Sequence, residues 1–84
     1  MSTLIVERTF DAPLSDESLA AVMERLGPCL EEYGVTWVRS FLSADRCRML
    51  CHYEAPDAEA VRASNRAAEA IFDSVWPATL LSAD

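Results

Sequence analysis

The sequence predicts an α+β domain: a four-stranded antiparallel sheet with two helices on one face, in the order strand, helix, strand, strand, helix, strand. Three observations predict it. Side chains alternate with period two over residues 3–10 and through 35–54, the signature of half-buried strands. Apolar residues recur at helical spacing after Ser15 and again after Asp57, each a residue type that caps a helix. Gly34, the Ser43-Ala44-Asp45 turn and Ala55-Pro56-Asp57 punctuate the chain between those runs. The resulting βαββαβ order is the ferredoxin-like arrangement, in which one sheet face stays uncovered. Two such faces packed together form a dimeric α+β barrel.

The first strand runs from Thr3 to Phe10, with Leu4, Val6 and Phe10 on one side and Ile5, Glu7 and Thr9 on the other. Asp11-Ala12-Pro13 ends it, because proline cannot donate to a ladder. Ser15 caps the first helix, Asp16 and Glu17 complement its dipole, and Leu19, Val22, Met23, Leu26, Leu30 and Tyr33 form its stripe. Pro28 is expected to kink or split this helix, and Gly34 to stop it. A hairpin follows. Asp57 then caps a second helix whose inward stripe is Val61, Asn65, Ala68 and Phe72, joined by Ala58, Ile71 and Val75. Trp76 to Leu81 reads as the last strand, with Pro77 confining it to an edge or a strand start.

The hairpin holds the only histidine, two of the three cysteines and one of the two tryptophans. A three-residue turn sets Trp37 opposite Cys51 and Arg39 opposite Met49. On that register Leu4, Val6, Val38, Leu42 and Leu50 face the helices. Ile5, Glu7, Trp37, Arg39, Phe41, Met49, Cys51 and Tyr53 fall on the uncovered face.

Length and composition bound the function. The 84 residues make a single domain, 1–84, whose small core invites oligomerisation, and an apolar fraction of 51% leaves surface for a second copy. Net charge is −7, from 14 acidic and 7 basic residues, which argues against nucleic acid and anionic membranes as partners. Glu7 and Arg8 follow only three consecutive apolar residues, so there is no signal-peptide pattern, and no apolar run approaches the roughly 20 residues of a spanning helix. Three cysteines without framework spacing point to reduced thiols in a cytoplasm.

Four stretches resemble one family: V-E-R-T-F at 6–10, P-C-L-E-E-Y-G-V-T-W-V-R-S at 28–40, the run from Ser43 to Arg62, and V-W-P-A-T at 75–79. It is a bacterial family of small proteins of unknown function that includes a nickel-binding member with a ferredoxin-like, dimeric-barrel fold. Cys51-His52-Tyr53-Glu54-Ala55-Pro56-Asp57 is its most specific part. The resemblance implies the fold, a homodimer and nickel binding, and implies no enzymatic activity. Many relatives carry a histidine just after V-R in the second helix. This chain has Ala63, Ser64 and Asn65 there, leaving His52 as the only imidazole.

Each candidate residue has a chemical reading and a plainer one. Glu7 and Cys51 fall in one row on the uncovered face, where carboxylate and thiol suit a borderline divalent metal or acid/base and nucleophilic work. The plainer reading pairs Glu7 with Arg39 and makes Cys51 a small buried hydrophobe. His52 and Glu54, two residues apart, are close enough to share a metal at the helix-side edge, with Arg8 nearby to oppose it. Cys47 and Cys51 on one strand stand about 13 Å apart, too far for one ion. Trp37, Arg39, Met49, Tyr53 and Asn65 line a pocket for an anionic or planar small molecule, or else serve as interface and core. No phosphate loop, dinucleotide fingerprint or Ser/His/Asp set is present. The leading expectation is a cytoplasmic, nickel-binding homodimer with Glu7, Cys51, His52 and Glu54 as donors. The alternatives are a small-molecule-binding protein or cofactor-free enzyme with its pocket in the barrel, and a structural or regulatory dimer without ligand.

Overall fold

A computed structural model describes residues 1–83. Strand β1 (Ser2–Thr9) is followed by α1 (Asp16–Glu32), β2 (Thr36–Leu42), β3 (Arg48–Ala55), α2 (Ala58–Ala67) and the short β4 (Ser74–Pro77). The strands form one sheet in the order β2-β3-β1-β4, every neighbouring pair antiparallel. This is the ferredoxin-like arrangement, with both helices on one face. Strand β4 begins two residues before the expected Trp76 and ends at Pro77, not Leu81.

Both helix caps form as the residue types require. Ser15 Oγ accepts from Ser18 N at 3.0 Å and Asp57 Oδ1 from Ala60 N at 2.8 Å. At the far end of α1, Gly34 takes φ 68°. Its N–H donates to Glu31 O at 3.1 Å, and Val35 N–H donates to Leu30 O at 2.8 Å. That is a Schellman closure, sealed by the buried Leu30 and Val35. Pro28 does not split the helix. It sits on the exposed side, so only one backbone bond is lost, while buried Leu26 and Leu30 hold both halves against the core.

The main correction concerns β3. The sequence reading places its odd-numbered residues on the uncovered face; they face the helices instead. Leu4 pairs with Tyr53, Val6 with Cys51 and Arg8 with Met49, and all six are buried. The expected row set Glu7 beside Cys51, whereas Glu7 pairs with Leu50. A register difference of one residue turns every side chain over. Strand β2 departs differently. The connection needs residues 43–47, with Arg46 at φ 64°, and a bulge falls between Trp37 and Arg39. Trp37 therefore pairs with Tyr53 on the helix side. Beyond the bulge, Arg39 pairs with His52 and Phe41 with Leu50 on the uncovered face.

Candidate functional site

The sheet has two faces, and the candidate residues divide between them. Across the uncovered face one row reads Arg39, His52, Ile5, Trp76, and the next reads Phe41, Leu50, Glu7, Ser74. His52 Nε2 lies 2.8 Å from Glu54 Oε2, and Thr3 Oγ1 donates to the same oxygen at 2.7 Å. Glu54 Oε1 takes no hydrogen bond among the described residues. The Thr3 hydroxyl, and after it the His52 ring, hold the Glu54 carboxyl below its ordinary value of 4.5 by favouring the ionised form. The pair lies on the uncovered face, not the helix side, and Arg8 is on the opposite face from His52. Glu7 is not paired with Arg39. Its Oε2 accepts from Trp76 Nε1 at 2.8 Å and from Ser74 Oγ at 3.2 Å. Trp76 thus meets the need of a half-buried acid for a partner.

On the covered face, Trp37, Met49, Cys51 and Tyr53 line a cavity of about 510 Å³ beneath α1. Arg8 also lines it, with only 5% of its surface exposed. Its Nη2 donates to Tyr53 Oη at 3.1 Å and its Nη1 to Ile71 O at 2.8 Å. Burial pushes the Tyr53 phenol up to about 12; neighbouring Cys51 adds to the rise and Arg8 opposes it. Trp37 Nε1 donates to Ser40 Oγ at 2.9 Å.

Of the expected metal donors, His52 and Glu54 therefore meet, while Glu7 and Cys51 do not. Glu7, His52 and Glu54 share the uncovered face, and Cys51 sits behind the sheet. Among the described residues, no group of three or more His, Cys, Asp or Glu side chains could hold a metal ion. The expected pocket divides too: Trp37, Met49 and Tyr53 share the helix-side cavity, while Arg39 is exposed on the other face. Asn65 is fully buried in α2, where its Nδ2 donates to Val61 O at 2.9 Å and its Oδ1 has no partner. Cys29, Cys47 and Cys51 are all free thiols. Sequence reasoning placed Arg8 beside His52 as a charge opposing a metal, not beside Tyr53, and did not foresee the Trp76–Glu7 bond. For Arg8 a signal existed: it continues the even-numbered series Leu4, Val6 that faces the helices.

A ferredoxin-like α+β domain with a bare sheet face and a separate helix-side cavity is the class these observations define. Comparison with known proteins narrows it. Residues 4–77 match the model of the family described as "Nickel responsive protein SCO4226-like", and the chain belongs to that family. No curated protein matches. Among solved structures, the crystal structure of SCO4226 from Streptomyces coelicolor A3(2) superposes with a TM-score of 0.85 at 15% identity, covering 96% of this chain and 100% of that one. At that identity the likeness speaks for the fold. No helix among the described residues is long and apolar enough to cross a membrane.

Proposed function

We propose that this chain is a cytoplasmic, divalent-metal-binding homodimer, with nickel the metal to test first. One observation carries the reading: His52 and Glu54 stand side by side on the uncovered face, 2.8 Å apart. An imidazole nitrogen and a carboxylate oxygen suit a borderline ion such as nickel. One chain supplies only these two donors, and closed sites of this kind take four or more. Two copies meeting face to face would supply four, so the residues fit a metal as half of a site. The same face exposes Phe41, Leu50 and Trp76, apolar surface that a second copy would bury. The family's description as nickel responsive agrees, and three free thiols fit a reducing compartment. Glu7, already bonded to Trp76 and Ser74, is a reserve donor beside the pair, and Cys51 has no part in it.

Calorimetric titration of metal-free protein with nickel, alongside a solution mass, tests this. The expected result is a dimer binding one ion per two chains. His52→Ala should abolish binding and Cys51→Ala should leave it unchanged. Unaltered nickel affinity in His52→Ala would refute the site.

A further inference from the structure

We propose that the cavity between α1 and the covered face of the sheet binds a small amphipathic monoanion, a carboxylate carried on an apolar tail. The first support is shape. The cavity's volume of about 510 Å³ lies within the range of about 300–1,000 Å³ usual for small-molecule sites. Its walls are apolar: Leu19, Val22 and Leu26 from α1 face Leu42 and Met49 from the sheet. Trp37 and Met23, 46% and 42% exposed, mark its opening to solvent.

The second support is an uncompensated charge. Arg8 is buried at the inner wall, yet among the described residues no carboxylate lies within ion-pair distance of it. Glu69, the one acid along the lining, is itself exposed to solvent. Placing a guanidinium in an apolar cavity without a counter-charge is costly, and nothing in the sheet requires a cation at that position. Two of its five N–H donors are accounted for, by Tyr53 Oη and Ile71 O. The other three have no hydrogen-bond partner among the described residues, and a guanidinium can offer such donors to a carboxylate.

The third support is Tyr53. Its oxygen accepts from Arg8, and burial pushes its phenol up to about 12, with the neighbouring Cys51 thiol adding to the rise, so a neutral hydroxyl stands beside the guanidinium. Charged and neutral donors thus meet in a cavity whose remaining lining is mainly apolar, with Ser18, Ser40 and the exposed Arg25 and Glu69 as its other polar members. One buried cation calls for one negative charge, and the apolar walls call for a tail without further polar groups. The site lies across the sheet from His52 and Glu54 and shares no residue with them, so each stands or falls alone.

The test compares octanoate with octanol on the metal-free full-length chain. Octanoate should saturate at one molecule per chain, move the Arg8 Nε–Hε NMR signal, and bind at least about tenfold tighter than octanol, as a charge-assisted contact implies. Arg8→Met should weaken octanoate by about tenfold or more and leave octanol little changed. Equal affinity for acid and alcohol, no saturable octanoate binding, or an Arg8→Met chain that binds octanoate as before would overturn the proposal. Should Arg8→Met fail to fold, the acid-to-alcohol ratio on the unaltered chain decides alone.

Discussion

The two faces of this sheet are built from the same three long strands but solve opposite problems. Under the helices, Leu4, Val6, Cys51 and Tyr53 are closed off almost completely, and the polar group among them, Arg8, is bonded to a phenol and a backbone carbonyl. On the other side, Ile5, Glu7, His52 and Glu54 are only partly covered, between exposed Phe41 and Trp76. The covered face stabilises one chain. The uncovered face mixes exposed apolar groups with hydrogen-bonded carboxylates, a composition suited to meeting a partner or an ion. Buried core and exposed polar and apolar groups are thereby carried by alternate residues of the same strands.

The largest test of that division is stability. Leu4→Ala removes a side chain 1% exposed and should cost about 2–5 kcal/mol, a large share of what a domain of this size possesses. Leu50→Ala, at a residue 39% exposed on the other face, should cost less than about 1 kcal/mol at low protein concentration. Its cost should grow as concentration rises and dimer forms. Urea unfolding at two concentrations separates them; equal, concentration-independent losses would mean the faces do not divide the work.

Next comes association. Phe41 is 64% exposed, so a charge there touches no core. Phe41→Glu should weaken self-association by at least about tenfold with an unchanged circular dichroism spectrum, since charges are depleted at interface centres. Sedimentation velocity reads it directly. A Phe41→Glu chain that stays dimeric would move the interface elsewhere.

Much of this was legible in the sequence, for reasons that also explain what was not. Ser15, Asp57 and Gly34 act through their own backbones, so their roles survive any tertiary context. Strand order followed from the alternation of periods. The facing of β3 depended on pairing with β1, and both parities of β3 carry large groups: Met49, Cys51 and Tyr53 against Leu50 and His52. The more apolar set went to the larger burial, under the helices. The reading had assigned it to a dimer interface. The β2 register turned on a bulge at Val38 and on Arg46 in the left-handed region, a conformation its sequence does not announce. Candidate donors could be chosen by residue type; whether Glu7 meets Cys51 depends on the β1–β3 register, whereas His52 and Glu54 meet as alternate residues of one strand.

The smallest expected effect is a titration on the uncovered face. Glu54 is held below 4.5 by Thr3 and His52, so between its folded value and 4.5 the unfolded chain binds more protons than the native one. Stability must then rise with pH across that window. The contribution is present in full above 4.5 and disappears as pH falls through the folded value. Glu54→Gln has no such proton and should show none of this component, so the gap between the two proteins' urea midpoints should narrow below pH 4.5 and hold constant above it. The group is open to solvent, so the change will be small and will shrink with added salt. Parallel midpoints down to acid would mean that the Thr3–Glu54–His52 chain does not persist in solution. The uncovered face would then lack the preorganised carboxylate on which a metal site there depends.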